Sequence, residues 1–132
     1  MTLRTLSLPN SASQPHGLYL LSREMLSLLA NGLEEAAHDR SGLDVLVGDE
    51  RLRFVPGSEH GIATAGPDGT VTIQTNGVDM VRLAEALRRL AEPSVMEWAG
   101  QYHVHLEPVF IRSSDTVSDI VFERRDPGAS AL

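Results

Sequence analysis

Cysteine is absent from the 132 residues of this chain. That excludes a disulfide framework, a thiolate nucleophile and a Cys-ligated zinc or iron–sulfur centre, and it suits a reducing, cytoplasmic setting. Long apolar runs are missing as well. None approaches the roughly 20 residues needed to cross a bilayer, and the N-terminus lacks the basic region, apolar stretch and cleavage site of an export signal, so no membrane partner is expected. Positive charge is scarce: eleven Lys and Arg stand against eighteen Asp and Glu, for a formal net charge of -7. Such a balance repels phosphate backbones and argues against nucleic acid as a partner. It favours encounter with a basic protein, such as a nuclease built to grip nucleic acid, and it also serves solubility by itself. Catalytic signatures are missing too: there is no Gly-x-Ser-x-Gly elbow and no Gly-rich phosphate loop followed by Lys and Ser or Thr. Binding is expected ahead of catalysis.

What is present suffices for a folded domain. Hydrophobic residues make up 42% of the chain and charged ones 22%, enough apolar material for one core and too little net charge per residue for disorder. Residues 1–125 read as a single domain, and the charged, then Pro, Gly, Ala and Ser-rich residues 126–132 as a flexible tail.

The apolar pattern alternates from Thr2 to Leu8 and stops at Pro9, predicting a short strand, after which the polar Asn10 to Gly17 reads as a loop. Ser22 can cap a helix to about His38 whose apolar stripe includes Met25, Leu29, Leu33 and Ala36. Leu43 to Val47 and Leu52 to Val55 predict strands joined by a tight turn at Gly48-Asp49-Glu50. Ile62 to Ala65 and Val71 to Thr75 repeat the pattern around Gly66-Pro67-Asp68-Gly69, so the whole reads as an antiparallel meander. Asn76, with Asp79 three residues on, caps a second helix with a stripe of Met80, Leu83, Ala84, Leu87, Leu90 and Ala91. Its Arg82, Arg88 and Arg89 read as a solvated face paired with Glu85. Tyr102 to Glu107 and Val117 to Glu123 predict the last strands. The expected fold is α+β: an antiparallel sheet of about six strands with two helices packed on one face.

Chemistry concentrates at Gln101-Tyr102-His103-Val104-His105-Leu106-Glu107-Pro108. Strand side chains alternate, so His103, His105 and Glu107 share one face while Tyr102, Val104 and Leu106 face the core. Two imidazoles and a carboxylate match the ligand set of a divalent transition metal with open positions. Asp119 or Glu123 can approach if their strand pairs with this one. The same residues also read as a polar sheet face without any cofactor. Acid/base work by His105 and Glu107 without a metal is a further option. Trp98, beside Glu97, is either a lid on the core or an exposed anchor for a partner.

The helix segment Val81 to Leu90, the motif His103-Val104-His105-Leu106-Glu107-Pro108 and the closing Asp119-Ile120-Val121-Phe122-Glu123 together resemble the Imm32-type immunity proteins of bacterial polymorphic toxin systems. The resemblance covers about the C-terminal half, from Val71 to Arg125; the helix from Ser22 to His38 lies outside it. It implies a cytoplasmic inhibitor that binds a cognate toxin and transfers no catalytic residues. On that reading Trp98, Glu97, Glu107, Asp119 and Glu123 are the partner-binding candidates. His103, His105 and Glu107 are the metal candidates of the rival reading, a small metal-dependent enzyme or metal-binding protein. Homodimerisation through an open edge strand is a third expectation.

Overall fold

A computed structural model describes residues 3–9, 11–14, 18–57, 61–66, 70–92, 103–105, 111–113 and 120–125. Among the described residues two helices are present, where the capping residues predict them. Helix α1 spans Arg23–Asp39; Ser22 is its N-cap, with Oγ accepting from the Met25 amide at 3.3 Å. Helix α2 spans Gly77–Leu90; Asn76 Oδ1 accepts from the Asp79 amide at 2.8 Å, and acidic Asp79 sits in the first turn, where the helix dipole favours it. Arg88 reaches across to α1, pairing with Glu34 and donating to Asn31 Oδ1 at 2.7 Å. Part of the arginine face thus joins the helices instead of pairing with Glu85. Helix α1 ends on Arg40, whose φ of 54° is left-handed, a conformation that costs a residue with a Cβ roughly 1 kcal/mol and that glycine adopts freely. Arg40→Gly is therefore expected to raise stability by about 0.5–1 kcal/mol in urea denaturation.

Among the described residues the strands form two mixed sheets, not one antiparallel sheet. They are β1 (Leu3–Leu8), β2 (Ala12–Gln14), β3 (Leu18–Leu21), β4 (Gly42–Val47), β5 (Glu50–Pro56), β6 (Gly61–Ala65), β7 (Val71–Thr75), β8 (His103–His105), β9 (Ile111–Ser113) and β10 (Val121–Arg124). The larger sheet has six strands in the order β1-β4-β5-β7-β6-β9, the smaller four in the order β2-β3-β10-β8. The predicted hairpins β4–β5 and β6–β7 are antiparallel, as expected. The meander fails between them: β7, not β6, lies beside β5, and the two run parallel. β1 with β4, β6 with β9 and β3 with β10 are also parallel pairs. Strands β2, β3 and β9 lie outside the strands that the sequence pattern predicts, and the polar stretch Asn10 to Gly17, predicted as a loop, contains β2.

The helices pack on each other, but they do not share one face of a single sheet. Helix α1 lies on β1 and β4 of the larger sheet and touches β3 of the smaller, while α2 lies against β8. A Cβ on Gly32 would come within 3.3 Å of Leu6 and 3.4 Å of Leu43, so α1 approaches the larger sheet closely at this point. Leu26, Leu29, Leu33, Met80, Leu83 and Leu87 from the helices meet Leu43, Val45, Leu52, Phe54 and Ile73 from the larger sheet and Tyr19, Leu21 and Phe122 from the smaller in one buried cluster. Each such side chain contributes roughly 1.5–3 kcal/mol by leaving water. No helix among the described residues is long and apolar enough to cross a membrane.

Tyr19 is enclosed in this core. Burial, with the nearby negative charge of Glu50, pushes its phenol up from the ordinary 10.0 to about 12. Below pH 10 the phenol keeps its proton in both states. As pH rises from about 10 to 12 the unfolded chain loses that proton and the native chain does not, so stability falls, by roughly 2–3 kcal/mol across the window. Tyr19→Phe is expected to flatten this part of a stability-versus-pH curve.

Candidate functional site

The histidine motif falls on β8, which pairs antiparallel with β10. The register sets Phe122 opposite Val104, Glu123 opposite His103 and Val121 opposite His105. Phe122 is fully buried and Val104 packs against the core, so the Val104–Phe122 pair holds the inner face of the small sheet, as the alternation predicts for Val104. The positions of His103, His105, Val121 and Glu123 alternate with it. The pairing that would bring Glu123 to the histidine strand is therefore formed.

Glu123 is not an idle ligand, however. Its carboxylate accepts from the Arg125 guanidinium at 2.9 Å, and its side chain is only 13% exposed. Next to it Arg124, 6% exposed, turns to the core side and donates to the Leu90 carbonyl at 3.1 Å and the Glu92 carbonyl at 2.7 Å. A cation thus sits at the C-terminal end of α2, where the dipole favours positive charge, and fixes β10 to the helix. Trp98, Glu97, Glu107 and Asp119 lie outside the described residues, as do the side chains of His103 and His105. Among the described residues no group of three His, Cys, Asp or Glu is assembled that could hold a metal ion.

The sequence is acidic overall: eleven arginines stand against eighteen Asp and Glu, and the acids include the partner-binding candidates Glu97, Glu107, Asp119 and Glu123.

Sequence reasoning missed a cleft of about 260 Å³ where the C-terminal end of α1 meets the N-terminal end of α2, lined by Ala36, Ala37, Arg40, Ser41, Pro56, Gly57, Gly77 and Met80. Its one legible signal is an arginine followed by serine where a helix would ordinarily end on glycine.

Compared with known protein families, curated proteins and solved structures, the chain finds no match, so the resemblance to Imm32-type proteins rests on its C-terminal motif alone.

Proposed function

We propose that this chain is an immunity-like protein that neutralises a cognate, basic bacterial toxin in the cytoplasm by direct complex formation. The observation that carries the reading is the acidic excess of the sequence, eleven arginines against eighteen Asp and Glu for a formal net charge of -7. Opposite charge accelerates docking on a basic partner, and Trp98 beside Glu97 offers an aromatic anchor among the acids. Coexpression with the toxin encoded beside it tests the reading. The triple variant Glu97→Gln/Glu107→Gln/Asp119→Asn should associate at least tenfold more slowly and with a shallower salt dependence, and should protect cells less. Failure of the unaltered chain to bind or protect sinks the proposal.

The register that sets Glu123 opposite His103 favours one other reading, a divalent transition metal on the β8–β10 strand pair. Elemental analysis of untagged protein, with a His103→Ala/His105→Ala variant as control, separates the two: stoichiometric metal lost in the variant selects the metalloprotein. Strand β1, the six-residue edge of the larger sheet, is the edge we assign to any homodimer, and a solution mass of one chain would remove that assignment.

A further inference from the structure

The cleft between the two helix ends combines three features that favour an anion. The first is Arg40. Among the described arginines, Arg4, Arg51, Arg53, Arg82, Arg88 and Arg125 each face a carboxylate. The exposed Arg40 guanidinium has no such partner among the described residues, and its backbone amide is occupied with the Ala36 and Ala37 carbonyls. The second is Ser41, which lines the cleft while only 2% exposed, and whose Oγ has no hydrogen-bond partner among the described residues. A buried hydroxyl left in this state is destabilising, and an acceptor brought by a ligand would relieve it. The third is the start of α2 at Gly77, the positive end of a 14-residue helix. The opposing carbonyls at the end of α1 are already engaged: Ala36 accepts from the Ser41 amide at 2.9 Å and Ala37 from the Arg40 amide at 3.4 Å. Asp79, the acid in the first turn of α2, is held by Asn76 Nδ2 at 3.2 Å and by Arg82.

The remaining walls are apolar, from Ala36, Ala37, Pro56 and Met80, and the volume of about 260 Å³ lies just under the roughly 300–1,000 Å³ of drug-sized sites. One cation and one hydroxyl match the two oxygens of a carboxylate; a phosphate dianion calls for more donors. We propose that this cleft binds a small organic carboxylate, its oxygens accepting from Arg40 and from Ser41 Oγ, its short apolar chain lying on Ala36, Ala37, Pro56 and Met80. The site stands independently of toxin binding.

Sodium butyrate titrated into the 15N-labelled full chain at constant ionic strength, with amide shifts as readout, tests this. Saturable shifts centred on Ser41, Gly57, Gly77 and Met80 are expected, with affinity at least tenfold weaker in Arg40→Gly and in Ser41→Ala. Arg40→Gly relieves a left-handed arginine, so loss of binding there does not reflect unfolding. Gly77→Leu is a second check, since a Cβ at this residue meets nothing nearer than Ala37 at 3.9 Å; the larger side chain should occupy the cleft and abolish binding while thermal melting is retained. Shifts that do not saturate, or equal affinity in all variants, overturn the site. Tighter binding of inorganic phosphate overturns the carboxylate assignment, and equal binding of 1-butanol overturns the role of charge.

Discussion

Replacing Phe122 by alanine is expected to lower the unfolding free energy by about 3–5 kcal/mol, the largest loss anticipated for one substitution in this chain. Phe122 is 0% exposed and sits on β10 between β3 and β8, with Tyr19 on one side and Val104 on the other. The Tyr19 and Phe122 ring centroids are 5.6 Å apart and tilted by 31°, a geometry that adds to the area term. The small sheet has strands of only three or four residues, too short to hold by hydrogen bonding without a packed face. Removing the ring leaves a cavity that neighbouring strands and helices cannot close. In urea, the midpoint should fall at nearly constant slope. Val121→Ala, on the alternating and half-buried face, should cost under about 1.5 kcal/mol. Equal losses at the two positions would contradict the assignment of faces on which the placement of His103 and Glu123 depends.

Arg124→Ala should follow, at about 2–4 kcal/mol. The guanidinium serves two carbonyls at the C-terminal end of α2, Leu90 and Glu92, from a position almost closed to water. Charge-assisted bonds of this kind contribute about 1.5–3 kcal/mol each when partly buried, and their losses are not additive. Arg124→Lys should recover only part of the loss, because an ammonium cannot reproduce the planar fork. Hydrogen exchange supplies the specific readout: amides near Leu87 to Ala91 should lose protection more than those of α1. Uniform loss across both helices would instead mean that Arg124 acts through global stability alone.

Both helices were legible because their signals are local. Ser22 and Asn76 place an acceptor over the first turn, and the spacing of Leu26, Leu29, Leu33 and of Met80, Leu83, Leu87 fixes the buried stripe. The hairpins around Gly48-Asp49 and Gly66 to Gly69 were legible for the same reason, since turn residues act within four positions. Strand adjacency is not local. Nothing between Pro56 and Val71 says that β7 will lie beside β5, and the four parallel pairings leave no mark in the intervening chain. Leu18 to Leu21 escaped notice because Tyr19, Leu20 and Leu21 are all buried, which erases the alternation by which strands are recognised. At the candidate site, the approach of Glu123 to the histidine strand was readable only as a condition on pairing. The Arg40 and Ser41 cleft showed in the sequence only as a helix ending on arginine, because it is assembled by three elements whose ends meet only in the fold.

The pairing of residues 18–21 with 121–124 has a consequence for how the molecule is made. A ribosome releases Leu18 to Leu21 about a hundred residues before their parallel neighbour exists. During that interval Tyr19 and Leu21 have β2 beside them but neither Phe122 nor Ile120, which share their buried cluster in the folded chain. Long-range closure of this kind is slow. A nascent chain stalled before Ile120 should therefore present a sticky apolar ribbon to chaperones and proteases, and become resistant only when its last strand snaps the two distant stretches together.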